Sequence, residues 1–289
     1  MRIGLHANPK RPAAIEIARR TLSLLAGRAT VVLTDEAREI DPNAPHAPWE
    51  TMAGELIVAI GGDGTFLRTL RQTSLPLLPI NAGTLGVLAE VDARRPEELA
   101  TAVNRLVERR YYVEERAKLS AEVAGVPLAD ATNEYVVHPA QVGKMGRFEL
   151  AFDGRPVGTL RADGVIVATP TGSTAYALSA FGPIVEPEVD GIVLTAIAPF
   201  RAEARALVLG GLTTVRIRPT REAPTVVLAD GDAEHALPSG GSVTIYRSPR
   251  RAALVRFGTS FFDRLRGKRI LPWTEEFEGG RDAVLPPPP

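Results

Sequence analysis

The chain has 289 residues, and its 34 Lys+Arg offset its 34 Asp+Glu, so no overall positive field favours nucleic acid or an anionic membrane. It contains no cysteine, which excludes disulfides, thiolate zinc sites and cysteine nucleophiles and fits a reducing compartment. An apolar fraction of 45% is enough to bury one large core or two ordinary ones.

Met1–Leu5 begins directly as a strand, with no basic segment leading into a long apolar stretch, and no membrane span follows; a cytoplasmic protein is expected. Arg2–His6 reads as a strand, Ala13–Ala26 as a helix with Ile17, Leu24 and Leu25 on its apolar side, and Ala29–Leu33 as a second strand. The prolines of Asp41–Trp49 predict a loop. Leu56–Ile60 is a continuous apolar run, β-branched enough for a buried strand. Gly61-Gly62-Asp63-Gly64 breaks it, and Phe66, Leu67 and Leu70 resume at helical spacing. Leu77–Ile80 is a fourth strand, ending in the glycine-bearing stretch Asn81–Gly86. Pro96–Arg110 is a helix with Leu99, Val103 and Leu106 on one face. Strand and helix alternate, so the expected fold here is α/β, Rossmann-like, with a parallel sheet whose ligands sit at the carboxyl ends of the strands.

After Tyr111 short strand-like segments follow one another: Lys118–Ala124, Ala131–His138, Arg147–Phe152, Pro156–Leu160, Gly164–Ala168, Gly191–Ile197, Thr213–Arg218, Thr225–Ala229, Ser242–Tyr246 and Ala252–Arg256. Turn residues separate them, and Asp153-Gly154 has the form of a hairpin tip. One helix is expected at Gly172–Ala180. The second domain is therefore β-rich and sandwich-like. Thr259–Lys268 returns to helical periodicity and is expected to pack back on the first domain. The predicted organisation is residues 1–110 completed by 258–275, a β-rich domain over 111–257, and a disordered, proline-ended tail over 276–289.

Several catalytic templates are absent: no G-x-x-x-x-G-K-[ST] loop, no complete G-x-G-x-x-G fingerprint, no H-E-x-x-H and no G-x-S-x-G elbow. His6, His46, His138 and His235 lack metal-ligand spacing and read as structural or surface residues. Gly61–Thr65 has the strand, glycine turn, helix arrangement that aims backbone N–H groups at a phosphate. It also places a carboxylate, Asp63, at the tip, where a bare anion cradle has little use for one. Asp63 therefore activates a nucleophile or holds a metal, or else caps the helix. Arg68, one turn along, suits either a phosphate contact or a solvated face. In Asp163–Tyr176 a strand runs into a turn rich in hydroxyls, where Thr171, Ser173 and Thr174 could donate to a polyol or phosphate or serve only as an N-cap. Asn133-Glu134 opens an apolar strand; Glu can accept both hydroxyls of a ribose while Asn reads an amide or base edge, and an exposed strand end would account for the pair equally well.

Gly61–Leu67 (GGDGTFL), Asn81–Leu88 (NAGTLGVL), Asn133-Glu134 and Asp163–Ser179 (DGVIVATPTGSTAYALS) together resemble the NAD kinase family in order and spacing, and Phe261–Trp273 resembles its C-terminal segment. The GGDGT turn is shared with diacylglycerol, sphingosine and phosphofructokinases; TPTGSTAYALS is much more specific. The resemblance implies transfer of the γ-phosphoryl group of ATP to the 2′-hydroxyl of the adenosine ribose of NAD, with Asp63 as proton acceptor. It also implies dinucleotide contacts at Asp63, Gly64, Arg68, Asn133, Glu134, Lys144, Arg161, Asp163, Thr174, Ala175, Tyr176, Ala177, Leu178 and Ser179, with Ala198 and Asp232 at further matching positions. A divalent cation, Mg²⁺, would arrive with the nucleotide, with no metal cage of its own in the protein, and a homodimer or homotetramer is implied. ATP or polyphosphate could be the donor. The family's Leu-Gly-Phe-Leu is Leu85-Gly86-Val87-Leu88 here, its paired glycines after the Tyr176 segment are Phe181-Gly182, its Pro-His-Ser-Leu is Pro199-Phe200-Arg201-Ala202, and its DGQ-like turn is Asp230-Gly231-Asp232. A lipid or sugar kinase with the same turn, or a non-catalytic dinucleotide-binding regulator, are the other functions open.

Overall fold

The computed structural model describes residues 1–83, 86–141, 143–201, 204–220, 224–268 and 270–271. They form two compact units: Met1–Thr69, Leu75–Glu114 and the chain from Leu254 make the first, Leu70–Ser74 and Glu115–Ala253 the second.

The first unit runs β1 (Arg2–Ala7), α1 (Pro12–Leu25), β2 (Thr30–Thr34), β3 (Leu56–Gly61), α2 (Asp63–Gln72, whose last turn enters the second unit), β4 (Leu77–Asn81) and α3 (Pro96–Val107). These strands lie in the order β4-β3-β1-β2. Their pairs are parallel, with Ile3 opposite Val31, Leu5 opposite Val58 and Ile60 opposite Ile80. β3 is buried along its whole length, which is why its sequence is continuously apolar rather than alternating. Leu5, Ile60, Leu78, Leu99 and Val103 share one core. The loop expected over Asp41–Trp49 holds a two-residue strand, His46–Ala47, which pairs with β2 and extends the sheet edge.

The second unit contains β5 (Tyr112–Val123, entering it at Glu115), β6 (Glu134–Pro139), β7 (Gly146–Phe152), β8 (Arg155–Ala162), β9 (Gly164–Ala168), α4 (Tyr176–Ser179), β10 (Gly191–Ile197), β11 (Leu207–Gly210), β12 (Val215–Pro219), β13 (Thr225–Ala229), β14 (Ala233–Leu237) and β15 (Val243–Arg256, leaving it after Ala253). β11-β10-β9-β6-β13-β14 form an antiparallel sheet, and β8-β7-β12-β15 are antiparallel neighbours with β5 on β15. Tyr135, Val137, Val165 and Val167 of the first set pack with Phe148, Ile217 and Ile245 of the second, giving the sandwich core. β9 is buried on both faces, because Ile166 and Ala168 on its other side pack with Ala177 and Val185.

Three local expectations change. The helix expected over Gly172–Ala180 is a 3₁₀ turn at Gly172–Thr174 and the short α4, broken at Ala175 with φ −103° and ψ −124°. Ser242–Tyr246 and Ala252–Arg256 are parts of one strand, β15, whose exposed Pro249-Arg250-Arg251 reads as a turn in the sequence. β11 and β14 carry too little apolar alternation to be marked beforehand. Asp153 and Gly154, at φ 49° and 77°, do form the tip between β7 and β8.

The C-terminal helix α5 (Phe261–Gly267) is capped by Ser260, whose hydroxyl accepts the Asp263 N–H, and belongs to the first unit, where Leu265 is fully buried. Residues 272–289, including the expected tail, lie outside the described residues. Among those described, no helix is long and apolar enough to cross a membrane.

Candidate active site

In the first unit, β1 leads through α1 to β2 on one side, while β3 returns on the other side of β1 and leads through α2 to β4. Right-handed crossovers in opposite directions put α1 and α2 on opposite faces and part the loops after β1 and β3. A cavity of about 250 Å³ lies at this point, lined by Asn8 and Arg11 from the β1 loop and by Gly62, Asp63, Gly64, Thr65 and Arg68 from the β3 turn and α2. Gly61 is needed for close packing, since a Cβ there would collide with the Thr65 side chain.

Asp63 is the first residue of α2. Its carboxylate does not cap that helix but accepts the N–H of Val87 at 2.9 Å and of Leu88 at 3.3 Å. Burial raises its carboxyl above the ordinary range, opposed by those two bonds and by the charge of Lys268. The result is an oriented carboxylate of raised proton affinity lining the cavity. The second glycine-bearing stretch thus has a task the sequence did not reveal: its backbone fixes Asp63. Val87 in place of the family's phenylalanine leaves this intact, because the donor is an amide. Thr84 and Leu85 of that stretch are outside the described residues.

In the second unit, Asn133 and Glu134 are buried, which removes the exposed-strand-end alternative. Asp230, at φ 50° in the turn between β13 and β14, accepts the N–H groups of Thr132, Asn133 and Glu134 at 3.0, 2.7 and 3.3 Å. Glu134 accepts the Tyr176 N–H, while its Oε2 is buried with no hydrogen-bond partner among the described residues. Burial and then the Asp230 charge push the Glu134 carboxyl up to about 8. A buried acceptor with spare capacity is what a ligand hydroxyl can satisfy.

The turn after β9 rests on the same strand start. Thr169 N–H donates to the Asn133 carbonyl at 2.8 Å and its hydroxyl to the Thr132 carbonyl at 2.7 Å. Gly172 passes so close that a Cβ would collide with the Asn133 carbonyl, so only glycine fits. Two of the hydroxyls expected to donate to a ligand have partners within the fold. Ser173 donates within the fold, to the Pro170 or Val185 carbonyl, and Thr174 to the Thr171 carbonyl. Ala177 is spent on the core, leaving Tyr176 and Ser179 exposed and Ala175 and Leu178 half-buried.

Arg161, Asp163 and Ala198 meet where two chain segments run side by side, since Phe200 N–H donates to Arg161 O and Asp163 N–H to Ile197 O. All three are exposed, Ala198 at φ 44°. The Arg161 guanidinium lies 4.2 Å from the centroid of the Phe200 ring, so the residue replacing the family's histidine is a stacking platform. Ala202 is outside the described residues. Asp232 is ion-paired with Arg71 at 2.7 Å, and Lys144 is exposed with no side-chain bond among the described residues. Among those residues, no group of three or more His, Asp or Glu could hold a metal ion.

A family model of the ATP-NAD kinase N-terminal domain matches residues 39–111, and one of the ATP-NAD kinase C-terminal domain matches 132–257. The chain belongs to the NAD kinase family. The NAD kinase of Thermococcus sibiricus is 37% identical over 270 residues, covering 91% of this chain and 96% of its own. That of Methanothermobacter thermautotrophicus is 36% identical, covering 98% and 99%. Among solved NAD kinase folds, the Archaeoglobus fulgidus enzyme in complex with ATP superposes with a TM-score of 0.74 at 30% identity, over 93% of this chain and 98% of its own. Yeast NADH kinase complexed with NADH gives 0.82 at 25% identity, over 96% and 89%.

Proposed function

We propose that this NAD kinase transfers the γ-phosphoryl group of ATP to the 2′-hydroxyl of the adenosine ribose of NAD, giving NADP and ADP. The observation that carries the reading is Asp63: a half-buried, doubly hydrogen-bonded carboxylate of raised basicity, set in a cavity of about 250 Å³ at the sheet's switch point. The 2′-oxygen attacks the γ-phosphorus, the bond to the β,γ-bridging oxygen breaks, ADP takes that electron pair, and the hydroxyl proton passes to Asp63. Positioning and charge neutralisation supply most of the acceleration in such transfers, and the base a smaller share. ATP enters as its Mg²⁺ complex, the cation held largely by phosphate oxygens.

In the second unit, Glu134 Oε2 accepts ribose hydroxyls, Asn133 reads the adenine side, and Tyr176 and Ser179 complete the dinucleotide surface, with Arg161 and Asp163 contributing from the neighbouring segment. Cytoplasmic location and assembly as a homodimer or homotetramer rest on the family likeness.

Purified protein given Mg²⁺ and ATP, with NAD, a diacylglycerol or sphingoid lipid, or a hexose phosphate as acceptor, tests this directly. NADP should form, read by an NADP-specific dehydrogenase. Phosphorylation of only the lipid or sugar would overturn the reading, as would tight NAD binding without turnover.

A further inference from the structure

We propose that Arg11 is the residue that grips the terminal phosphates of the phosphoryl donor, and that Gly83 keeps open the space it reaches into; this rests on the kinase reading above. Arg11 is the residue before α1, in extended conformation (φ −121°, ψ 106°), with Pro12 starting the helix immediately after it. The loop of β1 is thereby held beside the turns that follow β3 and β4. The Arg11 guanidinium lies across both. Its Nη1 would be 2.9 Å from a Cβ at Gly83 and 3.7 Å from one at Gly62. Gly83 is itself fixed, because the fully buried Asn81 side chain donates to the Gly83 carbonyl at 2.8 Å and accepts the Gly83 N–H at 3.0 Å.

No carboxylate answers this cation. The Arg11 side chain is exposed and has no ion pair or hydrogen bond among the described residues, as is also true of Arg2, Arg38 and Arg68 of the same unit, whereas Arg94, Arg95, Arg109, Arg110 and Arg256 each pair with an acid. An exposed arginine beside two glycine turns and the first N–H groups of a helix is placed to close on an anion there, and its planar fork suits two phosphate oxygens at once.

Size narrows the anion. The cavity of about 250 Å³ falls below the roughly 300–1,000 Å³ of pockets that take whole small molecules, so it fits a phosphate arm with the nucleoside outside. Arg68 lines the same cavity. On the kinase reading, Arg11 neutralises charge on the γ-phosphoryl group and on the leaving β-phosphate as the bridging bond breaks.

The test compares wild type, Arg11→Ala, Arg11→Lys and Gly83→Ala in the full chain. Arg11→Ala should lower kcat/KM for ATP by about 10²-fold or more while NAD affinity, measured directly without ATP, stays within about twofold. Arg11→Lys should restore KM for ATP more than kcat, since an ammonium cannot span two oxygens. Gly83→Ala should displace the guanidinium and reproduce the ATP defect. Inorganic tripolyphosphate, titrated calorimetrically, should bind wild type and lose about tenfold in affinity in Arg11→Ala. That arm decides the assignment even if wild type makes no NADP, a result that would count against the function proposed above. Unchanged ATP kinetics and tripolyphosphate affinity in Arg11→Ala, or an equal loss of NAD affinity, would overturn it.

Discussion

Two carboxylates do different work because their surroundings differ. Asp63 carries a raised proton affinity and two amide bonds, which suits the proposed role of oriented base. It works only when ionised, and kcat/KM should therefore fall on the acid side at a pH above that of an ordinary aspartate. Asp63→Asn should keep the fold and NAD binding while lowering kcat by about 10²–10⁴-fold; near-full turnover would remove Asp63 from the base role. Glu134 sits at about 8 against an ordinary 4.5. Between those values the folded protein holds a proton that the unfolded chain has released, so the stability this group contributes is present at low pH and is lost as pH rises through 8. On the proposed function a ligand hydroxyl donates to the ionised form, and NAD binding then expels that proton. Calorimetry in buffers of different ionisation enthalpy should show about one proton released per NAD at pH 7, with affinity rising up to about pH 8. Glu134→Gln should bind NAD more weakly and without this pH dependence. Flat wild-type affinity from pH 6 to 8 would contradict the assignment.

At the scale of elements, the site depends on backbones brought unusually close. Gly172→Ala would press a methyl group into the Asn133 carbonyl. It should cost at least about 1–3 kcal/mol of stability in denaturant unfolding, with a loss of NAD affinity as Asn133 and Glu134 shift. In the first unit the buried Arg256 donates to Glu114 at 2.7 Å, to Glu90 at 3.1 Å and to the Leu88 carbonyl at 2.9 Å. Glu90 in turn accepts the Phe257 N–H. Arg256→Met would leave the Glu90 carboxylate with only the longer Arg264 pair at 3.7 Å and should cost up to about 3–5 kcal/mol, while adding Glu90→Gln should recover part of it. If the single variant unfolds at the wild-type denaturant midpoint, the network is not stabilising the first unit. Elements with one strong pattern were legible in the sequence: the apolar run of β3, the amphipathic α1 and α3, and the Asp153-Gly154 tip. The TPTGSTAY turn was not, because hydroxyls serving the fold's own carbonyls look in sequence like hydroxyls offered to a ligand.

For the whole molecule, the α/β character of the first unit and the β-rich character of the second follow from periodicity, and the family follows from four motifs in order. Three parts of the candidate site were invisible for a physical reason. The amides of Val87 and Leu88 act through backbone, whose partner no side chain announces. Asp230 braces Asn133 and Glu134 from nearly a hundred positions away, and only the β6–β13 pairing brings them together. Arg11 looks like one more surface cation until the strand order sets its loop beside the GGDGT turn. The account stands or falls on one assay: wild-type protein and Asp63→Asn, each with Mg²⁺, ATP and NAD, monitored continuously through an NADP-specific dehydrogenase. It predicts steady NADP formation by wild type and a rate lower by about 10²-fold or more in the variant. Absence of NADP from a wild-type protein that binds both ATP and NAD would contradict it.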